Sequence, residues 1–139
     1  MKNEWNTLAL ELDGHVARLT LNRPDKLNCF TIEMWRELRE LGQGLVAEPG
    51  EIRALIVVGA GRAFSSGIDT SVFSGGDQDS IAGGPAAGTR HANPMVDGII
   101  PTQEAFSWLE DAPFATIAAA RGYALGAGLQ IALARDSRI

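Results

Sequence analysis

The sequence predicts an α/β fold, and three observations carry the prediction. An Asp13-Gly14 pair separates two short stretches of alternating apolar residues, the pattern of a β-hairpin. Residues 54–58 form a continuous apolar run of strand length followed at once by Gly59-Ala60-Gly61, as expected of a strand buried on both faces. A second such run, residues 114–120, leads through a glycine-containing turn into a short apolar helix, so strand, turn and helix alternate. With 45% hydrophobic and 21% charged residues in a chain of 139, the composition is that of a globular domain with a real core.

In chain order, residues 8–12 read as one hairpin strand and 15–21 as the next, where Val16, Arg18 and Thr20 alternate with Ala17, Leu19 and Leu21. Asn22-Arg23-Pro24-Asp25-Lys26 reads as a turn, because Pro24 lacks an N–H and disfavours helix at Arg23. Thr31 is placed to cap a helix whose apolar positions Met34, Leu38, Leu41 and Leu45 recur at helical spacing, with Glu33 suiting its first turn. That helix stops before Glu48-Pro49-Gly50. After the 54–58 strand, residues 74–98 turn to Gly, Ser, Asp, Ala and Pro and hold six of the sixteen glycines, which predicts a mobile surface loop. A helix is expected around 102–110, a strand over 114–120, a turn over 121–126, a helix over 127–135 and a strand-like end at 136–139.

Several function classes fall away. Seventeen acidic against twelve basic side chains give a net charge of −5, which argues against a general nucleic-acid binder. Cys29 is the one cysteine, so there is no internal disulfide and no CxxC zinc spacing, and no metal is expected. The first residues carry Lys2 and Glu4 without an apolar core, and no apolar run is long enough for a bilayer. A cytoplasmic protein that binds neither nucleic acid nor membrane is expected, with no redox cofactor.

Two segments could carry chemistry. Gly59-Ala60-Gly61-Arg62-Ala63-Phe64-Ser65-Ser66-Gly67-Ile68-Asp69 follows one strand, and Gly122-Tyr123-Ala124-Leu125-Gly126-Ala127-Gly128-Leu129-Gln130 follows the other and enters a helix. Glycine lets a backbone approach a ligand closely, and N–H groups at such turns stabilise anionic oxygen. For either turn alone, close strand–helix packing is the simpler reading. The first lacks the third glycine of a dinucleotide fingerprint, and there is neither a phosphate-loop GKS/GKT nor a GxSxG elbow.

Taken in order, three blocks resemble the enoyl-CoA hydratase/isomerase (crotonase) family: Leu21-Asn22-Arg23-Pro24-Asp25-Lys26-Leu27-Asn28, Gly61 through Asp69, and Gly122 through Gln130. The resemblance implies a crotonase-like spiral of ββα units, of which residues 1–139 would be an incomplete N-terminal core. It also implies an acyl-CoA thioester ligand, no cofactor beyond the CoA of the substrate, and a trimer or hexamer for a full-length relative. Two backbone N–H donors would hold the enolate-like thioester oxygen, here those of Ser66 and Ala127, each contributing a few kcal/mol. Lys26 is the expected phosphate contact beside Leu27, with a surface charge the simpler reading for Arg23 and Arg62. Ser66, Gly67, Ile68 and Asp69 would line the thioester and pantetheine, although Asp69 also reads as a structural cap. Trp108 and Phe73 could line a pocket or pack in the core.

The hydratases of the family use two carboxylates as general base and acid. The position of the first is Gln130, whose neutral amide cannot take up a proton, and the second would lie beyond Ile139. Glu104, Glu110 and Asp111 are other acids in this half, and His15, His91 and Cys29 fit no catalytic pattern. Three readings follow: an enzyme of the group using a single acid, a non-catalytic acyl-CoA binder, and an inactive truncated fragment.

Overall fold

The structure, a computed structural model, describes residues 5–74 and 94–139, with side chains over 5–72 and 100–139. Five strands form one sheet in the order β1-β2-β3-β4-β5: Leu8–Asp13, Val16–Leu21, Ala54–Gly59, Ala115–Ala119 and Ser137–Arg138. The β1–β2 pair is antiparallel and every later pair is parallel. Among the described residues four α-helices join them: α1 (Ile32–Ala47), α2 (Ser71–Ser74), α3 (Pro94–Ser107) and α4 (Ala127–Leu133).

The hairpin turns one residue later than expected. Asp13 still pairs with Val16, so the loop is Gly14-His15, and Gly14 takes φ +57° as its first residue. A positive φ at that position alone matches the type II′ turn, whose twist suits a hairpin. Ala17, Leu19 and Leu21 point into the core and are fully buried, while Val16 and Arg18 are exposed. The β3 strand was expected to be buried on both faces, but only Leu55 and Val57 are fully covered. Ile56 and Val58 are half-buried, because no layer of the described residues covers the outer face.

Helix α1 follows its pattern: the Thr31 hydroxyl accepts from Met34 N at 3.2 Å, and Met34, Leu38, Leu41 and Leu45 are buried. Its buried Glu37 is an anchor the apolar pattern does not reveal. That carboxylate accepts from Asn6 N and Thr7 N at 2.9 Å each and from the Thr7 hydroxyl at 2.6 Å. Helix α3 packs on α1, with Trp108 lying against Gly42 so closely that a Cβ there would collide with the indole. Trp108 is therefore a core residue, while the side chain of Phe73 lies outside those described.

Helix α3 runs over Pro94–Ser107 rather than 102–110, and residues 108–110 form a turn. The expected 74–98 loop thus gives residues 94–98 to this helix, and Ser74 ends the short α2; residues 75–93, His91 included, lie outside those described. Pro101 inside α3 is the breaker that hides its first turns from a reading by periodicity.

Each turn of the fold repeats one unit: a sheet strand, a short extended segment, then helix. The extended segments also pair with each other through two parallel bridges, Phe30↔Ile68 and Ser65↔Ala124. The third unit closes on β5, where Asp136 Oδ2 accepts from Thr116 N at 2.7 Å and from the Thr116 hydroxyl at 3.0 Å. These bonds hold the Asp136 carboxyl below its usual range. Beside it Arg135 is buried, and none of its guanidinium nitrogens meets an acceptor among the described residues.

Candidate functional site

The two glycine turns meet. A Cβ added at Gly67 would stand 3.2 Å from Leu125 O and 3.8 Å from Gly126 Cα, so the two backbones touch. Both glycines have positive φ, +107° for Gly67 and +50° for Gly126, which side chains rarely adopt. The second turn is held to the first by Ser65 N donating to Tyr123 O at 2.8 Å and Leu125 N donating to Ser65 O at 3.0 Å.

The other side of the first turn is zipped to the segment after β2. Ser66 N donates to Leu27 O at 2.9 Å, Phe30 N to Gly67 O at 2.7 Å and Asp69 N to Phe30 O at 2.8 Å. This corrects the expectation for Ser66, whose N–H is committed to Leu27 and is not available to a ligand. Strict strand alternation would turn residue 68 to the same side as residue 66. The positive φ of Gly67 breaks the alternation: residues 67 and 69 bond Phe30, and the Ile68 N–H points away from it. Ile68 N and Ala127 N have no acceptor among the described residues. Ala127 is buried at 1% exposure and Ile68 is 37% exposed.

Asn28 is the hub of the zipper. It is fully buried and, like Leu27, adopts a left-handed φ, +52° against +50°. Its Oδ1 accepts from Arg23 N at 2.8 Å, and its Nδ2 donates to Ala60 O at 2.8 Å and Ala63 O at 2.9 Å. Its carbonyl accepts from the Ser65 hydroxyl at 2.8 Å.

Of the expected contacts, Lys26 is exposed in a 3₁₀ turn over Pro24–Lys26, next to half-buried Leu27. Asp69 has the structural role: Oδ1 accepts from Ser71 N at 2.9 Å, and Oδ2 meets Arg23 Nη2 at 3.4 Å and Cys29 Sγ at 3.3 Å. Hydrogen bonds from the Ser71 backbone and hydroxyl, then from Cys29 and Arg23, hold its carboxyl far below the usual range. Arg23 is accordingly a loop tie, also donating to the Cys29 carbonyl, and not a free surface charge, whereas Arg62 is exposed. Cys29 is half-buried, and burial and the neighbouring Asp69 push its thiol up, so it stays protonated.

Gln130 lies three residues beyond Ala127 on α4, with its side chain exposed. Tyr123 and Leu125 in the preceding turn and Leu129 and Leu133 on the same helix are also exposed. Glu104 pairs with Arg39 at 3.5 Å, and Glu110 and Asp111 are exposed after α3. Among the described residues no cluster of His, Cys, Asp or Glu could hold a metal, and no helix is long and apolar enough to cross a membrane.

Residues 11–139 match the family model described as enoyl-CoA hydratase/isomerase. The chain belongs to the enoyl-CoA hydratase/isomerase family. It is 35% identical over 136 residues to a "Probable enoyl-CoA hydratase" of Mycobacterium tuberculosis, covering 98% of this chain and 47% of that protein. It is 33% identical over 135 residues to (E)-benzylidenesuccinyl-CoA hydratase of Thauera aromatica, covering 95% of this chain and 46% of that one. A provisionally assigned enoyl-CoA hydratase of Thermobifida fusca, solved with acetoacetyl-CoA, superposes with a TM-score of 0.77 at 42% identity over 95% of this chain and 49% of its own. The fold is thus the crotonase fold, and the chain spans about half the length of the relatives it matches.

Proposed function

We propose that this chain binds acyl-CoA thioesters and polarises the thioester carbonyl between the N–H groups of Ile68 and Ala127. The single observation that carries the reading is that these two donors, on touching turns, have no acceptor among the described residues, while the N–H groups of Ser66, Gly67, Asp69 and Gly128 are bonded. An oxygen accepting from both would be stabilised most when it becomes an enolate, because charge gathers on it as the α-carbon loses its proton. Preorganised donors lower that barrier without reorganising. In this reading the exposed Lys26, with Leu27 beside it, supplies the charge for the phosphates, and Gly67 and Ile68 line the pantetheine, with Asp69 holding the loop behind them.

The carbon-bound proton needs a base, and Gln130 cannot serve. This favours an enzyme of the group that acts on the polarised thioester with a single acid and does not hydrate it, and a non-catalytic acyl-CoA binder is the second reading. A cytoplasmic location, and an assembly of three or six subunits for a full-length relative, belong to the same proposal; sedimentation reads the latter. The test is calorimetric titration with acetoacetyl-CoA and crotonyl-CoA against free CoA, together with loss of the conjugated enoyl absorbance. Saturable thioester binding tighter than that of CoA, without hydration, is the expected result. Equal affinity for free CoA would refute the carbonyl-binding role. Hydration by the unaltered chain would refute the assignment to Gln130, whereas its appearance only in Gln130→Glu would support it.

A further inference from the structure

We infer that Asn28 is a positioning residue for the proposed oxyanion pair, fixing the direction of the Ile68 N–H without touching a ligand; this rests on the reading above. Its side chain makes three bonds from a fully buried position: it closes its own loop on Arg23 N and pins the carbonyls of Ala60 and Ala63 in the turn after β3. Its main chain takes the Ser65 hydroxyl, and its neighbours Leu27 and Phe30 take or give the bonds that fix Ser66, Gly67 and Asp69 on either side of Ile68. One side chain therefore sets both strands of the zipper. The left-handed backbone at Leu27 and Asn28 is a conformation non-glycine residues adopt at a cost, kept here by these bonds. Without the Nδ2 clamp the Ala60–Ala63 turn is free to shift, and the register that turns the Ile68 N–H away from Phe30 is no longer fixed.

The variant is Asn28→Gly, which suits the left-handed φ and removes the clamp without adding strain. Two readouts are used. The first is the amide order parameter of Ile68 in the ligand-free chain, expected near the rigid value of about 0.85 in the wild type and below about 0.6 in the variant. The second is the carbonyl stretch of bound carbon-13-labelled acetoacetyl-CoA, with its affinity measured against free CoA. The variant is expected to lose part of the wild-type frequency shift and about tenfold in thioester affinity, the scale of one hydrogen bond, with CoA affinity unchanged.

An unchanged order parameter with an unchanged carbonyl shift overturns the inference. A wild type that binds no thioester overturns the proposed function, while the order parameter still decides on Asn28. If Asn28→Gly does not fold, Asn28→Asp keeps the acceptor for Arg23 N, loses both Nδ2 bonds to Ala60 and Ala63, and should produce the same two changes; no change in either readout overturns the inference.

Discussion

Replacing Arg135 with methionine should stabilise the chain. The guanidinium is 6% exposed, and its three nitrogens have no acceptor among the described residues. Burial pushes its pKa down to about 9, only partly offset by Asp136, and that displacement corresponds to about 5 kcal/mol against the charged form. Methionine keeps most of the stem's packing and removes the charge, and exchanges of this kind gain about 1–4 kcal/mol in other proteins. For a chain of this length that is a rise of about 3–14 °C in Tm. A lowered pKa on a base also fixes a pH signature. At neutral pH both states are protonated and the full penalty is present. Above about 9 the folded state sheds the proton that the unfolded state keeps, so wild-type stability rises with pH and its gap to the variant closes. Thermal unfolding of both proteins between pH 7 and about 10 reads both effects. An Arg135→Met midpoint equal to or below wild type at pH 7 would refute the reasoning, because it would mean the guanidinium is stabilised where it lies.

Asp69→Asn should cost about 1–2 kcal/mol at pH 7, since it disturbs the bonds to Ser71, Cys29 and Arg23. Its carboxyl pKa is lowered on folding, so this contribution is present above the usual carboxylate range and is lost as pH falls towards the folded value. Denaturation midpoints of variant and wild type should therefore converge in acid. Glu37→Ala strands the donors of Asn6 and Thr7 and should lower stability by about 3 kcal/mol, read from urea midpoints. Gly67→Ala forces a side chain into φ +107° and to 3.2 Å from Leu125 O; a loss of about 2 kcal/mol in thermal unfolding is expected, with thioester binding lost beyond CoA binding.

Where apolar side chains alternate or recur, the sequence reports structure well: Ala17, Leu19 and Leu21 on β2 and Met34, Leu38, Leu41 and Leu45 on α1 are all buried as their spacing requires. Where polar groups organise the fold, it reports less. Nothing in the apolar pattern marks Glu37 as a buried anchor, because a Glu on a helix is usually solvated; only the spatial neighbourhood of Asn6 and Thr7 makes it an acceptor for three donors. Arg23 and Asp69 lie 46 residues apart, so their pairing is equally hidden. Asn28 had a partial signal, as a turn-favouring residue able to sit at positive φ after Pro24, but its role depends on carbonyls more than 30 residues away.

The hairpin and the turn after β3 both depart from their sequence expectation by one or two residues, and for one physical reason. A composition cue such as Asp13-Gly14 or Ser66-Gly67 says that the backbone departs from regular geometry there. It does not say which N–H turns outward. In an extended segment that direction alternates residue by residue, and a positive φ resets it. At Gly14 the reset falls on the first loop residue and leaves Asp13 in the strand; at Gly67 it hands the outward N–H to Ile68 and commits that of Ser66 to Leu27. The direction of a main-chain N–H is therefore set by the conformation of the residue before it. The direction of the Ile68 N–H thus depends on Gly67 and, under the inference above, on Asn28, rather than on the side chain of Ile68 itself.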